Sequence, residues 1–125
     1  MPEENVEVVR RLFAAFEDQE WDVALSLFDP AVEWSPVEGS FRGVEGVVAS
    51  LAEWTEAWEE HLVEPEEFTE ASDRVLAVIH LTGRGVGSGM EIDQRFFQLY
   101  EVRSGKIVRM VEFLSRAEAL EAAGR

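Results

Sequence analysis

The chain has no cysteine, which removes disulfides, thiolate metal sites and cysteine nucleophiles from consideration. Lys106 is its single lysine, and its arginines are scattered against a formal net charge of -15. The clustered basic surface that phosphate contacts need is therefore missing, and nucleic acid is not an expected partner. No apolar run approaches the ~20 residues of a membrane helix. The opening MPEENVEVVRR lacks the basic-then-apolar pattern of a secretory signal. A cytoplasmic protein without membrane association is expected. The two histidines, His61 and His80, stand far apart with no cysteine beside them, so no metal-ligand spacing appears. No metal or other cofactor is expected.

What the chain does have is apolar residues: 46% are hydrophobic, including four Trp and eight Phe. Residues 1–125 are enough for one domain with one core that needs no covalent staples. Val6, Val9, Leu12, Phe13 and Phe16 form a stripe at helical period between Glu3 and Asp18. Acidic Glu3 and Glu4 sit where a helix dipole favours them. A short second helix is expected over Trp21 to Phe28, stopped at Asp29-Pro30 because the residue before proline leaves the α region. Alternation of Val32 and Trp34 against Glu33 predicts a strand over Ala31 to Ser35. Pro36 to Gly43 reads as a loop. A third helix is expected from Val44 to His61, with Trp54 and Trp58 as i, i+4 partners and His61 at its C-terminal end, near the negative dipole.

The second half reads as β. Leu62 to Thr69, broken by Pro65 and rich in Glu, has the marks of an edge strand. Arg74 to Thr82 is apolar on both faces. The run Gly83 to Gly89 looks like a phosphate loop but lacks the lysine-ending motif and precedes a strand, so it reads as a hairpin connection. Glu91 to Val102 and Lys106 to Ser115 form a long hairpin turning at Arg103-Ser104-Gly105-Lys106, and Arg116 to Ala123 a terminal helix. Helices followed by a largely antiparallel sheet make an α+β layer fold.

Period-2 alternation gives each strand of this hairpin two faces. Val108, Met110, Glu112 and Leu114 share one; Ile107, Arg109, Val111 and Phe113 share the other. Phe96, Gln98, Tyr100 and Val102 alternate with Arg95, Phe97, Leu99 and Glu101. Both faces carry large apolar residues, so both are expected to be covered, one by the helices and the other by a second copy of the chain. Asp93 and Arg95 share a face and are placed to pair with each other or across that interface.

The strings ENVEVVRRLFAAF, LFDPAVEWSP, FRGVEGVV, GSGMEIDQRFFQLYEVRSGKIVRM and EFLSRAEALEA resemble the SnoaL-like group of the nuclear transport factor 2-like superfamily, and together they span nearly the whole chain. The resemblance implies a cone: a strongly curved antiparallel sheet wrapped around three N-terminal helices, open at one end to a pocket. It also implies a homodimer through the outer sheet face. It places Met110 and Glu112 inward. In the preceding strand Phe96, Gln98 and Tyr100 are assigned inward, a choice that a one-residue gap in the turn would invert.

On that register Glu112 is a carboxylate in an apolar setting, with two readings open. One is an acid/base group with a raised pKa; the other is an acid paired with a neighbouring arginine. Gln98 carries no titrating proton and can orient a ligand by hydrogen bonds. Tyr100 can donate to a ligand or only pack. His80, sharing a strand face with Val78 and Thr82, can reach a pocket or serve an interface. Trp34, Trp54, Trp58, Phe13 and Phe16 are first of all core at these spacings, and candidates for an aromatic pocket wall, since core and wall coincide in a cone. Trp34 falls where the resemblance to ketosteroid isomerases would need the general-base Asp. The expected function is binding of a small apolar or aromatic molecule, with cofactor-independent acid/base catalysis by Glu112 if there is chemistry. The alternative is a non-catalytic binding or dimerisation module.

Overall fold

A computed structural model describes residues 2–124 of the chain. In order, it contains α1 (Pro2–Glu17), α2 (Trp21–Ser26), β1 (Phe28–Ser35), β2 (Phe41–Arg42), α3 (Gly43–Glu56), β3 (Trp58–Ala71), β4 (Arg74–Gly85), β5 (Glu91–Arg103), β6 (Lys106–Phe113) and α4 (Arg116–Ala123). The six strands form one sheet in the order β2-β1-β6-β5-β4-β3. All neighbours are antiparallel except β1 and β6, which run parallel. The sheet curls, and the first three helices pack against its inner face. This is the α+β cone.

The stripe on α1 does what its spacing implies. Val9 and Leu12 are fully buried, and with Val8 and Ala15 they meet Val75, Ala77, Tyr100, Val102, Ile107 and Met110 from the sheet. The β5–β6 hairpin closes through a two-residue turn, with Arg103 opposite Lys106. Ser104 and Gly105 both take positive φ, 50° and 77°, as a turn matched to strand twist requires.

Besides the short β2 inside the expected Pro36 to Gly43 loop and the run of β4 on to Gly85, four departures from the sequence reading shape the sheet and its ends. The third helix stops at Glu56, and Trp58 to His61 belong to β3, where they pair with the end of β4 at Gly85 to Gly83. Ladder bonds to a distant strand outweigh the helical spacing of Trp54 and Trp58 there. His61 is thus on a strand and has no helix dipole to meet. The first strand begins at Phe28, so Asp29-Pro30 lies inside it. Its pairing with β6 is irregular between Phe28 and Glu33, which is where a sheet tolerates proline. The last strand ends at Phe113. Ser115 then caps α4, accepting from the Glu118 backbone N–H at 3.2 Å while its hydroxyl reaches the Glu118 carboxylate.

The fourth departure is a bulge. Glu101 pairs with Arg109 but Val102 with Ile107, leaving Val108 as the extra residue. Simple alternation puts Ile107 outside; the bulge turns it inward, fully buried in the same core as Met110.

The outer sheet face is covered in part by the chain's own α4. Ala119 and Ala123 pack on Leu76, Val78 and Leu99. Arg74 donates to the Ala122 carbonyl at 2.9 Å, and Arg116 lies over the Phe97 ring. Farther along that face are charged pairs. His80 Nε2 meets Asp93 at 2.5 Å, Arg95 meets Glu66 at 2.7 Å, and Arg84 meets Glu60. Asp93 and Arg95 therefore take different partners rather than each other.

Candidate functional site

The open end of the cone holds a cavity of about 410 Å³, within the ~300–1,000 Å³ typical of small-molecule sites. Strand register explains which side chains meet there. Trp34 on β1 lies beside Met110 on β6, and Met110 beside Tyr100 on β5. One step along the same face, Glu112 lies directly opposite Gln98. Residues two apart on a strand share a face, so Phe96, Gln98 and Tyr100 from β5 and Met110 and Glu112 from β6 all line the cavity.

These polar groups form a short chain. The Tyr100 hydroxyl donates to Gln98 Oε1 at 2.6 Å. Gln98 Nε2 donates to Glu112 Oε2 at 2.7 Å. Because β1 runs parallel to β6 and its chain continues past Ser35, the Val37 backbone N–H reaches Glu112 Oε1 at 3.2 Å. Each donor thus sets the orientation of the next acceptor, and Glu112 is held by two neutral donors. Among the described residues no lysine or arginine pairs with it.

The electrostatics follow from that arrangement. Burial raises the Glu112 pKa above the ordinary value, and the hydrogen bonds from Gln98 and Val37 oppose the shift without cancelling it. Tyr100 is fully buried, and desolvation, reinforced by the Glu112 charge, pushes its pKa well above the ordinary phenol value. Tyr100 therefore stays a hydrogen-bond donor across the range in which Glu112 titrates.

Aromatic rings run from this polar end to the mouth. Trp34 and Tyr100 lie 6.3 Å apart, Tyr100 and Phe13 6.3 Å, Phe13 and Phe16 6.4 Å, and Phe16 and Trp21 5.9 Å. Trp21, 52% exposed, stands at the rim with Glu17, Leu62 and Val63. Trp54 faces the cavity from α3, its ring 4.8 Å from that of His61. Trp34 and Phe16 are thus cavity wall as well as core, and Trp54 is cavity wall alone.

Three placements correct the sequence reading. Trp58 is not on the cavity wall; it starts β3, and its indole N–H is buried without a partner. His80 points to the outer face, because the inward residues of β4 are Ile79 and Leu81. Leu114 lies beyond the end of β6, 50% exposed, and does not flank Glu112 inside the cone. The cavity residues that the sequence reading did not place there include Trp21 and His61. Trp21 opens an amphipathic turn and looks like any helical aromatic. His61 was hidden by extending α3 over a segment that is strand.

Among the described residues no group of three or more His, Asp or Glu side chains is placed to hold a metal ion. Among the described residues no helix is long and apolar enough to cross a membrane.

Comparison with known proteins agrees with this geometry. The profile of the SnoaL-like domain matches residues 9–110. An uncharacterized protein of Mycobacterium tuberculosis (strain ATCC 25618 / H37Rv) is 34% identical over 124 residues, covering 94% of this chain and 93% of its own. A Jannaschia sp. CCS1 protein, named as a candidate SnoaL-like polyketide cyclase, superposes with a TM-score of 0.79 at 26% identity, over 98% of this chain and 92% of that one. Bal32a, from a soil-derived mobile gene cassette, superposes with a TM-score of 0.80 at 22% identity, over 99% and 98% of the two chains. Cone, cavity and sequence together place this chain in the SnoaL-like family of the nuclear transport factor 2-like superfamily.

Proposed function

We propose that the cavity binds a small, largely apolar or aromatic molecule and that Glu112 transfers a proton to or from it, without a cofactor, in chemistry of the isomerase, cyclase or hydrolase type. The observation that carries this reading is a partly buried carboxylate facing an aromatic cavity, held by neutral donors and lacking a cation partner. A carboxyl group with a raised pKa exchanges its proton nearer neutral pH than a solvated one, which suits general acid/base work. Gln98 and the Val37 N–H hold Glu112 in one orientation and stabilise its ionised form; Tyr100 fixes the Gln98 amide in turn. The Jannaschia protein, named as a candidate polyketide cyclase, supports the cyclase-type reading. The second reading, a non-catalytic binding module, is favoured by the hydrogen bonds already made to both Glu112 oxygens.

NMR titration of the Glu112 carboxyl carbon tests the acid/base role. Its pKa is expected above the ~4.3 of a free glutamate. It is expected to rise further in Gln98→Leu, which removes a donor to the ionised form. A wild-type value at or below the free one would sink the role.

The reading includes a cytoplasmic dimer. Pairing would use the part of the outer face that α4 leaves open, where Val111 is only partly buried next to exposed Arg109. Sedimentation equilibrium at micromolar concentration is expected to give twice the 14.1 kDa chain mass; a clean monomer removes the dimer from the proposal.

A further inference from the structure

We infer that the cavity selects ligands in which an aromatic or apolar body carries a protonated nitrogen, in preference to isosteric neutral or anionic molecules. The inference rests on the cavity being the ligand site, as proposed above, and names the charge its ligand carries.

Charge is the first argument. The ionisable acids lining the cavity are Glu112, inside, and Glu17, at the mouth; among the described residues no lysine or arginine lines it. An anionic ligand would therefore lose its hydration and find no cation in return. Among the described residues His61 is the one basic side chain on the wall, and it sits at the rim against Trp54. An ammonium entering the deep end would supply the counter-charge that Glu112 lacks. A neighbouring ammonium also favours the ionised form of Glu112, the form in which it accepts a proton.

The wall is the second argument. The series Trp34, Tyr100, Phe13, Phe16 and Trp21 presents ring after ring from the deep carboxylate to the mouth. Ring faces attract a desolvated cation, most strongly those of tryptophan. The same rings accommodate a flat apolar body, so both halves of such a ligand find partners. The net charge of -15 acts in the same direction at long range, concentrating cations near the mouth.

Calorimetric titration with three probes on one bicyclic body tests this: 2-naphthylmethylammonium, 2-naphthylmethanol and 2-naphthoate. The ammonium is expected to bind about tenfold or more tighter than the alcohol, with the carboxylate weakest. Because pairing inside a cavity is screened little by salt, most of that ratio should survive at ~0.5 M NaCl. In Glu112→Gln the ammonium-to-alcohol ratio should fall toward one. Equal binding of ammonium and alcohol, a carboxylate that binds best, or an ammonium advantage that vanishes at high salt would overturn the inference while leaving the cavity a ligand site. Failure of all three probes to bind would overturn the ligand-site reading with it.

Discussion

Glu112→Gln is expected to lower any proton transfer carried out in the cavity by about 10²–10⁴-fold, the usual contribution of a positioned acid or base. The fold should survive. A glutamine oxygen can still accept from the Val37 N–H. If the Gln98 amide turns over, its oxygen can accept from the new amide, while its nitrogen donates to the Tyr100 oxygen. What the variant loses is the titrating proton. Deuterium incorporation from D₂O into an enolisable aromatic ketone, followed by NMR, measures the effect. If wild type does not exceed buffer for any such probe, the chain is a binding module; if the variant matches an active wild type, Glu112 is not the base.

The same variant has a thermodynamic signature. Burial raises the Glu112 pKa, so the folded chain holds that proton more tightly than the unfolded chain does. Its contribution to stability is therefore full below the ordinary glutamate pKa and is lost as pH rises through the raised one. Glutamine does not ionise and lacks this loss. Denaturant midpoints of the two proteins should diverge in the variant's favour across that window.

Leu12→Ala should produce the largest loss of stability. Leu12 is fully buried on α1, within the core that joins the helix to the inner face of the sheet. Removing a buried leucine side chain typically costs about 2–5 kcal/mol, a large share of the ~5–15 kcal/mol that holds a domain together. A fall in Tm on the order of 10 °C follows for a chain of this size. Because Phe13 and Phe16 ride on the same helix, ligand binding should weaken with it. Val48→Ala is the control: Val48 is on α3 but 46% exposed, and its change should stay within about 0.5 kcal/mol. If Leu12→Ala costs no more than Val48→Ala, α1 does not dock as described.

Much of the site was legible from residues alone. The α1 stripe, the 91–113 hairpin with its Ser104-Gly105 turn, and the shared face of Gln98 and Tyr100 are local patterns. Each is written in the spacing of neighbours along the chain, and the structure places them accordingly. Where β6 changes face is another matter. Val108 is extra only relative to β5, so nothing within Lys106 to Phe113 announces the bulge that brings Ile107 inside.

The end of α3 shows the same division. Trp54 and Trp58 have helical spacing, and no proline or glycine separates them. Only the ladder offered by Arg84 and Gly85 makes Trp58 a strand residue and carries His61 to the cavity rim. The docking of α4 on Leu76, Val78 and Leu99 is equally non-local, and it covers surface that alternation had left for a partner. The sequence by itself determined the α+β class, the apolar helix faces and the shared strand face of Met110 and Glu112; the resemblance to SnoaL-like proteins turned that face inward. Tertiary structure decided that Glu112 has Gln98 and Val37 rather than an arginine as partners, and that Trp21 and His61 share its cavity. The physical reason is that periodicity acts between neighbours in the chain, whereas register, bulges and ion pairing are settled between strands that meet only when the sheet closes.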